Sequence, residues 1–171
     1  MSGLTQEEVR RWFDCDGHSL LWKEAPPRSN IKVGATAGNT HPKTGYVQVR
    51  LRGKDYRVHR LVFLWHHGYT PEFVDHRDHV RHHNNISNLR ECTSKENACN
   101  RRARVTATSQ YKGITWAPDK MKWRARASDA EGKEIHLGYH EDEVVAARAY
   151  DTYAINNFEE FANINFPLDM G

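Results

Sequence analysis

The sequence is poor in cysteine and has no long apolar run. Its three cysteines, Cys15, Cys92 and Cys99, form no C-x-x-C pair. A disulfide framework is therefore not expected, and their spacing, even with His82 and His83, matches none of the usual zinc signatures. The apolar runs are too short to span a bilayer, and no signal-peptide pattern is present. These absences predict a soluble protein of a reducing compartment, the cytoplasm, with no membrane partner.

The net charge of +3 over 171 residues is mild, but acids and bases occupy separate blocks. Residues 100–127 hold eight Lys or Arg against the single acid Asp119, whereas residues 141–171 hold seven Asp or Glu against Arg148 alone. Such a division creates an electrostatic face and bears on the partner rather than on the fold. We expect a polyanion, double-stranded DNA, and no small-molecule substrate.

The stretch from residue 74 to residue 100 has the pattern strand, loop, strand, helix. Val74 and the run 89–92 predict two short strands joined by a hydrophilic loop. Thr93 followed by Glu96 is a capping-box pattern, which predicts that a helix begins there. The pattern brings a carboxylate, an imidazole and two amides towards one end of this motif.

These four side chains suit the hydrolysis of a phosphodiester. His76 can act as a general base, because a histidine titrates near neutrality. Asp75 and Asn97 offer oxygen ligands, which suit Mg²⁺ or Mn²⁺, one ion per site. Asn88 is placed to hydrogen-bond near His76 and fix its ring. The ordinary alternative is that the asparagines are turn and cap residues.

Three pieces of this stretch together resemble the HNH endonucleases of the ββα-metal type: Asp75-His76, Asn-x-x-x-Asn-Leu-Arg ending at Arg90, and Glu96-Asn97. The combination is most similar to the phage and intron-encoded homing enzymes of that class. The resemblance implies His76 as base, Asn88 as the residue that orients it, and Asp75 and Asn97 as metal ligands. It implies a site-specific DNA endonuclease. With one metal, one base and one motif per chain, a monomer is expected to nick one strand and to leave a 5′ phosphate and a 3′ hydroxyl, whereas a double-strand break would need a second active site.

Three positions after the base depart from that family pattern: Arg77 replaces an aliphatic residue, and His79 and Val80 stand where a glycine is usual. They motivate the alternative of a DNA-binding regulator with an inactive nuclease motif.

The residues before the motif predict the rest of a nuclease domain. We predict a helix over 4–14, a strand over 19–22, a hairpin over 45–58 turning at Gly53-Lys54, and a helix over 59–68. Residues 1–100 would form one domain with a ββα-metal core at about 72–104. His59 precedes this core and is interpreted as a satisfied structural histidine.

From residue 111 to residue 167 the sequence predicts three strands followed by a helix. The middle strand alternates, so that Trp123, Ala125 and Ala127 face one way and Lys122, Arg124 and Arg126 the other. A helix packed on the alanine face leaves a cationic ribbon, which fits the major groove.

This segment resembles the Apetala-type, or ethylene-response-factor, DNA-binding domain. The resemblance is carried by five pieces of sequence: Tyr111-Lys112-Gly113-Ile114, Lys122-Trp123-Arg124-Ala125-Arg126, Leu137-Gly138-Tyr139, Ala146-Ala147-Arg148-Ala149-Tyr150-Asp151 and Phe161-Ala162-Asn163-Ile164-Asn165-Phe166. It implies DNA binding through the face with Arg124 and Arg126.

Residues 101–110 form a predicted basic linker between the two domains. Arg101, Arg102 and Arg104 are expected to lie along a phosphate backbone, together with Lys112 from the start of the second domain. The whole is thus an α+β protein: an HNH domain followed by a three-stranded antiparallel sheet packed on one helix. A monomer or weak dimer is expected, and the sequence gives no role for His79, His82 or His83.

Overall fold

The computed structural model describes residues 3–27, 29–99, 108–129 and 131–166, without the side chains of residues 95, 98 and 99. The chain forms two compact units, Met1–Cys92 and Thr93–Gly171. Both mix helices with antiparallel strands, which confirms the predicted α+β class. The domain boundary at residue 100 stays a prediction. Arg101, Arg102 and Arg104 lie outside the described residues. Among the described helices, none has the length and apolar character needed to cross a membrane.

The described residues of the first unit form two α-helices, seven strands and a short 3₁₀ helix. These are α1 (Gln6–Trp12), β1 (Phe13–Cys15), β2 (Leu20–Trp22), β3 (Asn39–Thr40), β4 (Val47–Leu51), β5 (Lys54–Arg57), α2 (Val58–His67), β6 (Phe73–His76), the 3₁₀ helix Ile86–Asn88 and β7 (Leu89–Cys92). The strands pair as β1–β2, as β3–β4–β5 and as β6–β7, all antiparallel.

Helix α1 begins with the predicted capping box. The Thr5 hydroxyl accepts from the Glu8 N–H and the Glu8 carboxylate accepts from the Thr5 N–H, so two N–H groups at the helix start are satisfied. The helix buries Val9 and Trp12 and ends two residues earlier than predicted, because Phe13 begins β1. That three-residue strand is too short for a sequence periodicity to reveal it.

The β4–β5 hairpin has the buried and exposed faces that the alternation predicts. Val49 and Leu51 are buried and Arg50 is exposed. The turn lies one residue before the predicted position, at Arg52 and Gly53, which both have positive φ (50° and 79°). Two such residues form the tight turn whose twist matches a hairpin.

Helix α2 supplies five of the buried apolar residues of the first unit's core and fixes the start of the β6–β7 hairpin. It buries the apolar residues Val58, Leu61, Val62, Phe63 and Leu64. Gly68 ends it in the left-handed conformation (φ 81°), with its N–H donating to the Leu64 carbonyl, as predicted. The Arg60 guanidinium donates to the Pro71 and Glu72 carbonyls at 2.8 and 2.9 Å, which fixes the chain as it enters β6.

The second unit contains α3 (Ser94–Cys99), β8 (Ile114–Ala117), β9 (Lys122–Ser128), β10 (Glu134–His140), α4 (Glu143–Phe158) and the 3₁₀ helix Glu159–Phe161. Helix α3 starts with the predicted capping box between Thr93 and Glu96. The strands form one antiparallel sheet in the order β10–β9–β8. Its core joins Ala125 and Ala127 of β9 to Ala146, Ala147 and Ala154 of α4, so the predicted close packing of helix on sheet is confirmed.

Two contacts show how tightly this second core is built. A Cβ on Gly113 would collide with the Tyr150 ring and would lie 2.6 Å from the Arg126 carbonyl oxygen, so only glycine fits there. Strand β8 starts directly after it, at Ile114. Buried Asp151 accepts hydrogen bonds from the backbone N–H groups of Asn165 and Phe166 at 2.8 and 3.0 Å. Asp151 thereby ties the end of the described chain to α4.

Candidate active site

Asp75 and His76 are the last two residues of β6, and Asp75 lies opposite Arg90 across the β6–β7 ladder. Arg90 donates from Nε and Nη2 to Asp75 Oδ2 at 3.1 and 3.0 Å. The Arg90 and Asp75 side chains are only 5% and 11% exposed, so this is a buried ion pair. It holds the carboxylate in place. The sequence analysis gave Arg90 no role, although the hairpin it predicted places the two residues on adjacent strands.

His76 is buried, at 4% exposure, and its ring is held by Asn84. His76 Nε2 donates to Asn84 Oδ1 at 3.0 Å, so the neutral ring has Nδ1 as its basic nitrogen. Burial lowers the pKa of His76, although the Asn84 hydrogen bond and the Asp75 and Asp78 carboxylates act in the opposite direction. The neutral form, which a general base requires, is therefore favoured at neutral pH. The sequence places Asn84 at the start of the Asn-x-x-x-Asn-Leu-Arg pattern but predicts no contact with the His76 ring.

Asn88 closes the loop that follows His76. Its side-chain amide donates to Asp78 Oδ1 at 2.9 Å and to the His83 carbonyl at 2.8 Å, while its oxygen accepts from the Asp78 N–H at 3.1 Å. The described hydrogen bond to the His76 ring comes from Asn84. The predicted role of Asn88 in orienting that ring stays a prediction, and its described contacts shape the loop.

Asp78 is the centre of that loop. It also accepts from the Val80 N–H at 2.8 Å and contacts His83 Nδ1. Burial alone would raise the pKa of Asp78, but the hydrogen bonds from Val80, His83 and Asn88 lower it to about 2. His79 adopts the left-handed conformation, with φ 61°. His79 occupies a position where the HNH pattern usually has glycine. The loop therefore keeps a backbone conformation that suits glycine, although a histidine stands there.

A cluster of rings packs against His76. The His59 ring centroid lies 5.0 Å from that of His76, and Tyr46 lies 5.1 Å from His59 and 6.0 Å from His76. His59 is 2% exposed, and its Nδ1 has no hydrogen-bond partner within the described part of the chain. Burial, followed by the neighbouring charges of His76 and Arg57, lowers the pKa of His59 to about 3. The interpretation that His59 has all its hydrogen bonds satisfied is therefore wrong for Nδ1 within the described residues. The contact between His59 and His76 was not predicted.

The predicted metal ligands are Asp75 and Asn97. Asn97 lies in the first turn of α3, where its N–H donates to the Thr93 carbonyl at 3.0 Å, and it belongs to the second unit. Over the described ranges there is no cluster of three or more His, Cys, Asp or Glu able to hold a metal. One carboxylate and one amide oxygen nevertheless fit a hard ion such as Mg²⁺, which keeps several of its waters. The pairing of Asp75 with Asn97 stays a prediction.

The basic residues of β9 share one face of the second unit's sheet. Lys122 pairs with Glu141 at 3.6 Å and Arg126 with Glu134 at 2.7 Å, with the two basic side chains 42% and 40% exposed. Within the described ranges, Arg124 between them has no ion pair. This face is thus partly neutralised at both ends and cationic in the middle. Lys112 lies elsewhere, with its ammonium 5.8 Å from the Tyr150 ring centroid.

The chain is similar to two kinds of known protein, endonucleases and AP2-like transcription factors. Residues 56–99 match the family model described as HNH endonuclease. DNA endonuclease I-HmuI of Bacillus phage SP01 is 39% identical over 83 residues, covering 45% of this chain and 48% of that protein. An AP2-like ethylene-responsive transcription factor of Arabidopsis thaliana is 34% identical over 85 residues, covering 48% of this chain and 19% of the factor. The chain therefore spans less than half the length of these two relatives.

A third relative is matched over most of its length. Protein 3.8 of Escherichia phage T7 is 31% identical over 98 residues, which cover 56% of this chain and 80% of that protein. The two resemblances inferred from the sequence, to HNH endonucleases and to AP2-like DNA-binding proteins, are confirmed as homology. The chain belongs to one family with Protein 3.8 of Escherichia phage T7, and its residues 56–99 form an HNH endonuclease domain.

Proposed function

We propose that this protein is a divalent-metal-dependent, site-specific DNA endonuclease of the homing type that nicks one strand per chain. One observation carries the proposal: His76 is buried, kept in its neutral form and held by Asn84 beside Asp75, inside the HNH match. A buried, oriented and uncharged imidazole at the end of a strand is what a general base needs. HNH nucleases typically depend on a divalent metal.

In the proposed reaction His76 accepts a proton from the attacking water. The oxygen of that water forms a bond to phosphorus while the bond from phosphorus to the 3′ oxygen breaks, which leaves a 5′ phosphate and a 3′ hydroxyl. Asp75 and Asn97 would hold the ion. When bound, a hard divalent ion supplies Lewis-acid stabilisation of the developing negative charge. Arg90 keeps the Asp75 carboxylate in one orientation.

The loop after β6, which also carries Asn84, is proposed to position the base. Asn88 and Asp78 bind one another and the loop backbone through several hydrogen bonds, so the loop has one well-defined shape next to His76. Asn88 is therefore proposed to serve catalysis by building the site. A loop of fixed shape keeps the catalytic groups close to the geometry that the reaction requires, whereas a misplaced group lowers the rate.

The second unit is proposed to hold the DNA. Lys122, Arg124 and Arg126 would enter the major groove, with Arg124 as the strongest base contact because no described carboxylate competes for it. Lys112 and the linker residues Arg101, Arg102 and Arg104 would contact phosphates. The chain is proposed to act in the cytoplasm as a monomer or weak dimer. Because each chain carries one active site, a monomer should nick one strand, and a double-strand break would need a second active site.

A plasmid assay tests the proposal. Supercoiled plasmid is incubated with the full chain and Mg²⁺ or Mn²⁺, with EDTA as the metal-free control. Nicked circles are expected only with metal, and His76→Ala should lose cleavage but keep DNA binding. His67→Ala, an exposed histidine at the end of α2, is the matched control. Equal nicking by His76→Ala and His67→Ala would rule out His76 as the base.

A DNA-binding regulator with an inactive nuclease motif is the second candidate. The match to AP2-like transcription factors over 48% of the chain favours it. It predicts tight DNA binding with the plasmid remaining supercoiled under every metal and for every sequence tested.

A further inference from the structure

Two arginines gather around one tyrosine beside the candidate base. The Arg57 guanidinium carbon lies 4.6 Å from the Tyr46 ring centroid, and that of Arg81 lies 5.2 Å from it. These residues come from three separate places in the first unit: the end of β5, the loop between β6 and β7, and the residue before β4. We name Tyr46, Arg57 and Arg81 the arginine–tyrosine cluster.

The cluster concentrates positive charge without a matching acid. Both arginines are exposed, and neither forms an ion pair within the described part of the chain. The acids of the neighbouring elements are already used: Asp55 pairs with Arg50, and Asp78 is bound by His83 and Asn88. Two guanidinium groups on one ring repel each other, so an anion that binds both would stabilise the arrangement.

The guanidinium groups are also held in position. Arg81 donates from Nη1 to the Thr44 carbonyl at 2.9 Å, and both side chains lie over the Tyr46 ring. Contact with a ring face orients a guanidinium and leaves N–H groups on its edge for a planar or tetrahedral oxyanion. Arg81 is anchored by the loop that Asn88 and Asp78 close.

The cluster is one ring contact away from the base. The Tyr46 ring lies 6.0 Å from the His76 ring, and the His59 ring contacts both, with its centroid 5.1 Å from that of Tyr46 and 5.0 Å from that of His76. An anion bound by Arg57 and Arg81 would therefore lie on the Tyr46 side of His76, in the neighbourhood of the reacting bond if His76 is the base.

From this geometry we propose that the arginine–tyrosine cluster binds the phosphodiester backbone of the strand being cut, near the scissile bond. The ligand class is the phosphate of a nucleic acid strand, which two exposed guanidinium groups bind through charge-assisted hydrogen bonds. The cluster is thus a phosphate-binding site of the first unit, separate from the cationic face of β9. This inference rests on the proposed nuclease function for the identity of the neighbouring bond.

Binding at different salt concentrations tests the cluster without any need for cleavage. The affinity for a labelled duplex of random sequence is measured by fluorescence anisotropy, with His76→Ala as the background in every protein. This background is compared with double variants that add Arg57→Gln, Arg81→Gln or Arg50→Gln. Each lost phosphate contact should flatten the slope of log Kd against log salt by about 0.9. Arg50→Gln is the matched control, because Arg50 is an exposed arginine of the same sheet that already pairs with Asp55. Slopes for Arg57→Gln and Arg81→Gln equal to that for Arg50→Gln would overturn the proposal.

Cleavage tests the position of the cluster. In the otherwise unchanged chain, Arg57→Gln and Arg81→Gln should each lower kcat/KM for plasmid nicking about tenfold to a hundredfold, the loss expected for one charged hydrogen bond. Arg50→Gln should nick at the unmodified rate. Far-ultraviolet circular dichroism and urea midpoints check folding, and Arg81→Lys, which keeps the charge, should recover part of the loss.

The two arms separate the failure of this inference from the failure of the proposed function. A protein that nicks no plasmid under any metal contradicts the nuclease proposal, yet its salt slopes still decide whether the cluster binds phosphate. If the unmodified chain nicks plasmid, and Arg57→Gln and Arg81→Gln behave like Arg50→Gln in both assays, the nuclease function stands and the phosphate-binding role of the cluster is refuted.

Discussion

Replacing Asp75 should destabilise the first unit in addition to abolishing the proposed cleavage. Its carboxylate is the partner of Arg90, whose side chain is 5% exposed, so Asp75→Ala leaves a buried positive charge without this partner. At the observed 3.0 Å, Coulomb's law with an effective dielectric constant of about 20 gives an attraction of about 5 kcal/mol. Breaking one side of a buried pair typically costs about 3–5 kcal/mol. We therefore expect Asp75→Ala to lower the free energy of unfolding by about 3–5 kcal/mol.

Urea denaturation without added metal measures this loss. Asp55→Ala is the matched control, because Asp55 pairs with Arg50 at 3.4 Å while both side chains are more than half exposed, so its loss should stay below about 1 kcal/mol. The double variant Asp75→Ala/Arg90→Met should recover most of the stability that Asp75→Ala loses, since it removes the buried charge that has lost the Asp75 carboxylate.

The outcome decides how an inactive Asp75 variant is understood. If Asp75→Ala unfolds at the same urea concentration as Asp55→Ala, the buried pair does not stabilise the hairpin and the reasoning from burial is refuted. If the predicted loss is found, the inactivity of Asp75→Ala is no proof of metal ligation, and metal affinity must be measured on variants shown to be folded.

Three further variants test other parts of the structure. His59→Phe should flatten the pH dependence of stability. The pKa of His59 is about 3 in the folded chain against 6.5 in the unfolded chain, so its protonation costs about 1.4 kcal/mol of stability per pH unit as the pH falls from 6.5 towards 3. Urea midpoints between pH 6.5 and 3 should therefore change less with pH in His59→Phe than in the unmodified chain. His79→Gly should raise the free energy of unfolding by about 0.5–1 kcal/mol, because glycine adopts φ 61° without strain; a lower urea midpoint than the unmodified chain would contradict this. Asp151→Asn should destabilise the second unit by about 2–3 kcal/mol through weaker acceptance from the N–H groups of Asn165 and Phe166, and a thermal midpoint equal to that of the unmodified chain would argue against it.

Much of the fold was predictable because its signals are local. The capping boxes at Thr5 and Thr93, the helix stop at Gly68 and the alternation along β9 each depend on residues a few positions apart. The hairpin turn was placed one residue late, because the sequence alone does not show that Arg52 adopts a positive φ beside Gly53.

The contacts that build the site were largely not predictable, because their partners are distant in sequence. Arg90 reaches Asp75 only through the register of β6 and β7, and the His59 contact with His76 joins two different elements. Asn84 opens the Asn-x-x-x-Asn-Leu-Arg pattern, but the pattern does not show that its side chain bonds the His76 ring. The roles of His76, Asp75 and Asn97 were inferred from their combination and resemblance, and these roles stay predictions.

The measurement that tests the central claim most directly is the nicking of supercoiled plasmid by the full chain and by His76→Ala, at matched DNA binding. The account predicts that the unmodified chain produces nicked circles with Mg²⁺ or Mn²⁺, that EDTA stops the reaction, and that His76→Ala binds DNA without cutting it. Nicking by His76→Ala at the unmodified rate, or nicking that continues in EDTA, would contradict it.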